Sequence, residues 1–345
     1  MKKTIKIKLI GFWSSFKPEK YLVFQSLYKR YDVQIVDSDP DFVVCSIFGN
    51  RYDYLKYPQV RIMISGENYI PDFNYIDYAI SSYPINFYDR SFRLPFYFVD
   101  YTPRRELQEK SRDYSRDILK EKIYFANFIA SHDSEFGLRG EMFEKLSKYK
   151  RVEACGSLFN NMPDGKCVKR SDNSKQEIQN KSKFTLCFES TKHEGFITEK
   201  ILDAFYADTI PIYYGSSDVT DIINPKAFIN CSDYPSLDDA VKKVIELDTD
   251  EDKYLEMLRE PIFNDPHYYD DLIAGLESFL YNIFDQDADK AFRRSCVYSP
   301  KSYEDGLLEM RDLSDKYNKL LDSGFTRKDF IRFSKIKLKK KFHIK

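Results

Sequence analysis

The 345-residue chain has one Trp and four His, and no His stands at metal-ligand spacing from a cysteine, which argues against a structural zinc site. Its six cysteines, Cys45, Cys155, Cys167, Cys187, Cys231 and Cys296, are widely scattered. Cys45 and Cys187 sit inside apolar runs, so the set reads as reduced packing residues rather than a disulfide framework. No apolar stretch approaches the roughly 18 residues of a membrane span. The opening "MKKTIKIKLIGFW" is too short and too interrupted for a signal peptide, and its Ile5, Ile7, Leu9 alternation reads as a first strand. The expected compartment is therefore the cytosol. An excess of either charge is missing too: 54 Lys and Arg face 55 Asp and Glu, a net charge of -1, so no global field favours nucleic acid. Internal repeats and low-complexity segments are absent.

What the chain does have is 27 Tyr and 28 Phe, enough apolar mass for two domains with cores of their own. A helix is expected over residues 19–31, and short apolar runs follow at 33–36, 42–49, 59–65 and 77–81. Strands and helices at these spacings imply an α/β layer architecture. A polar stretch from about residue 100 to 120 reads as a connection. A second series then begins, with strands at 122–131, 184–189 and 209–215 and a helix over 138–149. "FTLCF" is nearly continuous in apolar residues, as in a parallel strand covered on both faces. The expected division is 1–110, 120–300 and a helical, basic amphipathic tail at 301–345.

Between the last two strands lies "ESTKHEGFITEK", dense in charge. Thr198 is a candidate N-cap, which would put Glu199 and Lys200 in the first turn of a helix, beside free N–H groups and the positive end of its dipole. That is an anion site, to which Lys200 adds a full charge, while Glu199 could accept hydrogen bonds from ribose hydroxyls. On composition alone, both could equally be ordinary helix-start residues. Loop ends after parallel strands are where open α/β sheets bind ligands.

The stretch "CFESTKHEGFITEKILDAFYADTIPIYYGS" (187–216) resembles the donor-binding motif of the α-1,3/4-fucosyltransferases. "GENYIPDFNYIDYAI" (66–80), "YDRSFRLPFYF" (88–98) and "FIASHDSEFGLRGEMFEKLSKYKRVEACGS" (128–157) resemble further family segments in the same order. The resemblance implies a GT-B architecture, two Rossmann-like domains facing across a cleft, and an inverting transferase using GDP-β-L-fucose. It also implies that Arg139 and Lys200 hold the donor pyrophosphate, that Glu199 holds the ribose, and that Glu67 is the general base. An Arg fork with a Lys charge suits a leaving diphosphate, and a carboxylate at a strand end can reach a cleft. Without the resemblance, Arg139 is a surface helix arginine and Glu67 a solvated loop acid. Asp77 and Asp89 are weaker candidates, expected to be structural. Two positions depart from the family pattern: Ser190 stands for its Asn, and Phe196 for its hydroxyl-bearing Tyr. Both belong to the expected donor site, where Phe196 can pack but cannot hydrogen-bond.

The expected acceptor is a glycan such as N-acetyllactosamine on a bacterial surface glycan. No cofactor is required, and a divalent metal is left as an optional stimulant. A metal-dependent alternative would use Asp37, Asp39 and Asp41, but these lie too early for the nucleotide-binding half and suit turn chemistry. A degenerate glycan-binding protein is a further alternative, against which Glu67, Arg139, Glu199 and Lys200 all occur together. In residues 326–345, nine Lys or Arg against one acid are interleaved with Phe and Ile, which suits peripheral contact with an anionic membrane at its cytoplasmic face.

Overall fold

The computed structural model describes residues 2–48, 53–95, 105–163, 165, 166, 168, 173–294, 298–324, 326–329, 331, 332, 334 and 335. Cys167, Cys296 and most of the basic tail lie outside them. The first sheet contains β1 (Lys3–Ile10), β2 (Tyr31–Ile35), β3 (Phe42–Cys45), β4 (Val60–Ser65), β5 (Tyr78–Ser81) and β6 (Ser91–Arg93) in the order β2-β1-β3-β4-β5-β6. The second contains β7 (Tyr124–Phe128), β8 (Val152–Ala154), β9 (Ser182–Phe188), β10 (Ile210–Tyr214) and β11 (Ile229–Asn230) in the order β11-β10-β9-β7-β8. Every pairing is parallel, for example Ile7 beside Phe42 and Ile212 beside Leu186. This is the expected α/β class, with two parallel sheets and helical crossovers.

The central strands are mostly apolar because both faces are covered. All six residues of β4 are buried, including Arg61, which is 1% exposed. Its guanidinium donates to the carbonyls of Leu55, Tyr57 and Tyr75 and pairs with Glu304 at 2.6 Å, so no donor group is stranded. Asp77, fully buried, pairs with Arg294 and accepts from the backbone N–H groups of Arg61, Arg293 and Arg294. Asp89 pairs with Arg293 at 2.9 Å. These carboxylates hold packed segments together.

Helix α1 (Leu22–Arg30) packs on the first sheet through Leu22, Val23, Phe24 and Leu27. In the second half, α2 (Leu138–Ser147), α3 (Ser174–Asn180), α4 (Glu199–Tyr206), α5 (Leu237–Thr249) and α6 (Glu251–Arg259) follow. Helix α7 (Tyr268–Phe284) then returns to the first sheet, within the stretch grouped above with the second domain. Leu276, Leu280 and Ile283 are fully buried in one apolar cluster with Ile5, Phe24 and Phe42, and the Phe42 and Phe284 rings lie 4.6 Å apart. Lys3 donates to the carbonyl of Phe284 at 2.9 Å, satisfying an orphan acceptor at the end of α7. The last long helix, α8 (Tyr298–Asp322), is held to the first domain by Glu304, by a stacked Tyr75–Tyr303 pair and by an Arg311–Asp53 ion pair. No helix among the described residues is long and apolar enough to cross a membrane.

Candidate active site

Strand β9 ends at Phe188, and the chain runs through Glu189 and Ser190 into the loop that precedes α4. Thr198 occupies the N-cap position with extended backbone, but its hydroxyl does not cap the helix. Instead both its N–H and its hydroxyl donate to the Glu189 carboxylate, at 2.8 to 2.9 Å. Lys200 donates to the same carboxylate at 2.7 Å and to the Thr198 hydroxyl at 2.8 Å. Glu189 is 1% exposed, so its charge is affordable only because a cation and two donors surround it. An ammonium has three donors, and two of those on Lys200 are engaged, leaving one for a ligand. Glu189 thus organises the helix start, a role that reading the sequence did not assign.

Arg139, in the first turn of α2, is 6% exposed, not a surface arginine. Its Nε and one terminal nitrogen donate to the Phe188 carbonyl at 3.0 and 2.8 Å, and the other donates to the His132 carbonyl at 2.8 Å. Three of five N–H groups are used, so two remain to face a ligand. Burial lowers its pKa, against the opposing charges of Glu189, Asp133 and Glu199. Arg139, Ser190, Glu199 and Lys200 line one cleft of about 400 Å³ at the strand ends of the second sheet, together with Lys175 from α3. Lys175, likewise unassigned from sequence, pairs at 2.5 Å with Asp203 on α4. Phe196 is buried at 7% exposure and lies outside the lining of that cleft.

Glu67 follows β4 on the opposite domain, half-buried. The structure gives its carboxylate no hydrogen bond among the described residues. Burial raises its pKa most, the charge of Glu199 raises it further, and Lys200 opposes both. The second-domain charges therefore bear on how the first-domain acid titrates, second to its burial. The loop between them is pinned: Gly195 (φ +78°) donates to Ser216 at 2.9 Å and lies against Ser82, and Arg93 pairs with Asp218. By contrast, Asp37 and Asp39 pair with Lys8 and Lys6, and Asp41 accepts from the Lys6 backbone. No group of three or more His, Cys, Asp or Glu suited to a metal occurs among the described residues.

Two parallel-sheet α/β domains that face each other across a cleft at their strand ends make the GT-B arrangement, shared with a solved alpha1,3-fucosyltransferase at a TM-score of 0.70 and 26% identity. Residues 119–259 match "Glycosyltransferase family 10 (fucosyltransferase) C-term", and residues 7–100 match "Alpha-(1,3)-fucosyltransferase FucT N-terminal domain". The chain belongs to glycosyltransferase family 10. It is 30% identical over 296 residues to alpha-(1,3)-fucosyltransferase FucT of Helicobacter pylori, covering 75% of this chain and 60% of that protein. It is 28% identical over 216 residues to putative fucosyltransferase R654 of Acanthamoeba polyphaga mimivirus, covering 60% of this chain and 34% of that one. The chain therefore spans about a third to three-fifths of the length of these relatives. Among solved structures, an alpha1,3-fucosyltransferase with GDP-fucose superposes with a TM-score of 0.64 at 26% identity, over 81% of this chain and 91% of that one. Anabaena Alr3699/HepE in complex with UDP-glucose shares the fold alone, with a TM-score of 0.51 at 8% identity, over 82% of this chain and 100% of that one.

Proposed function

We propose that the chain transfers L-fucose from GDP-β-L-fucose to a hydroxyl of an N-acetylglucosamine-type residue, forming an α-1,3 linkage. One observation carries the reading: Arg139, Glu199 and Lys200 line a single cleft. The GDP-fucose complex of the structural relative supports the donor.

The two open N–H groups of Arg139 and the third donor of Lys200 bind the pyrophosphate, and Glu199 accepts from the ribose. Ser190 offers the cleft a short hydroxyl, and Phe196 is a buried side chain of the loop before α4. The acceptor oxygen attacks the anomeric carbon from the face opposite GDP while Glu67 takes its proton. The bond from that carbon to the phosphate oxygen breaks, and GDP leaves with the electron pair. Arg139 and Lys200 stabilise the charge that develops on it, a role that needs no metal. Holding both substrates across one cleft supplies the orientation part of the rate. The product of GDP-fucose and N-acetyllactosamine, examined by proton NMR, should carry an α-fucosyl residue on O3 of N-acetylglucosamine. A β-fucoside would rule out single displacement by a Glu67-assisted hydroxyl.

The tail at 326–345 is proposed to hold the enzyme against an anionic membrane, where a surface glycan is assembled on the cytosolic side. Its charge and its interleaved apolar residues support this.

A further inference from the structure

The first sheet carries a second feature at its strand ends. Gly11 follows β1 with φ +74°, and a Cβ there would stand 2.4 Å from the Ser46 carbonyl oxygen, so only glycine lets the loop after β1 close on the loop after β3. That closure gathers aromatic rings. Phe12 stacks on Phe16 at 4.2 Å, and Trp13 meets Phe16, Phe48 and Tyr21 edge-on at 5.1, 5.2 and 5.8 Å. Phe48 remains 37% exposed and Trp13 only half-buried. The rings and Glu67 line one small cavity of about 30 Å³. A space of that size holds a water or two, not a sugar, so a ligand would lie across its mouth.

We propose that Trp13, with Phe48 beside it, is the platform on which the acceptor's pyranose ring stacks, setting its reacting hydroxyl against Glu67. The inference rests on the fucosyl-transfer reading above. Sugar rings present a flat C–H face that suits an aromatic surface, and binding sites combine such surfaces with a few convergent polar groups. Glu67 is the polar group here, contributed by the first domain, whereas Arg139 and Lys200 come from the second. Half-exposed aromatics grouped at a strand end, beside an acid with no hydrogen-bond partner among the described residues, suit a contact surface for a ligand with one apolar face.

Trp13 is the only tryptophan in the chain, so its emission reports on this spot alone. Titrating N-acetyllactosamine into the GDP-loaded full chain should shift indole emission saturably, at concentrations matching the acceptor KM, while maltose at the same concentrations should not. Trp13→Ala should raise the acceptor KM about tenfold with the GDP-fucose KM unchanged, and Trp13→Phe should restore most of the loss. GDP titration of each variant shows that it is folded. If N-acetyllactosamine is turned over while emission stays still and Trp13→Ala keeps the wild-type acceptor KM, the platform is refuted and fucosyl transfer stands. Absence of any acceptor-dependent turnover with GDP-fucose would overturn the reading on which the platform depends, and the platform with it.

Discussion

Lys200 is asked to do two things, and a double-mutant design separates them. Within the fold it neutralises Glu189, whose side chain is fully buried, while its own side chain is 26% exposed. Lys200→Met leaves Glu189 with its two Thr198 donors but no counter-ion. Removing one partner of a buried pair costs roughly 3–5 kcal/mol, and partial solvent access to the ammonium brings this to about 2–3 kcal/mol. In the proposed donor site Lys200 would supply one charge-assisted hydrogen bond, worth about 1.5–3 kcal/mol, so GDP should bind roughly 10- to 100-fold more weakly. Adding Glu189→Gln to Lys200→Met should return most of the lost stability, because the buried charge is gone, yet should leave GDP affinity low. Urea unfolding and GDP calorimetry on wild type, both single variants and the double variant give the full cycle. Recovery of GDP affinity in the double variant, or full stability in Lys200→Met, would refute the dual assignment.

Glu67→Ala should cut turnover by roughly 100-fold or more and leave GDP affinity nearly unchanged, since a general base acts on the acceptor and not the nucleotide. Loss of GDP binding instead would move Glu67 to the donor side. A base must be deprotonated, and burial with Glu199 holds the Glu67 carboxyl above its ordinary value, so kcat/KM should fall on the acid side at a higher pH than an ordinary glutamate would give. Glu199→Gln removes a charge that raises this pKa and should move the acid limb to lower pH; a shift upward would contradict the cross-cleft coupling. Gly195→Ala combines a positive φ with a Cβ 2.4 Å from the Ser82 carbonyl oxygen, and should destabilise the chain by about 1–3 kcal/mol in urea unfolding. Deleting residues 326–345 should weaken sedimentation with anionic vesicles and spare activity on a soluble acceptor; unchanged vesicle binding would retire the membrane contact.

Central strands were legible because burial on two faces leaves a nearly uninterrupted apolar run, as in residues 184–188, which are all buried. Strands β6, β8 and β11 were not, because two or three residues carry no periodicity. The return of α7 to the first sheet was also hidden. Its buried Leu276, Leu280 and Ile283 mark an inward face, but local pattern cannot say which sheet that face meets. At the site, Arg139, Glu199 and Lys200 line one cleft. Glu189 escaped notice because an acid closing an apolar run looks like the first residue of a polar loop. The signal available was its place directly after a doubly covered strand, where a charge stays only if it is paired. Thr198 sits where an N-cap was expected, yet Glu189 competes for its hydroxyl and wins. Lys175 left no local trace, because its partner Asp203 is on another helix.

The most direct test of the account is GDP release by the purified chain, comparing GDP-fucose with GDP-mannose, with and without N-acetyllactosamine, in excess chelator. The account predicts release from GDP-fucose that depends on the acceptor, survives the chelator and is lost in Glu67→Ala. Acceptor-dependent release from GDP-mannose but not GDP-fucose, or turnover undiminished in Glu67→Ala, would contradict it.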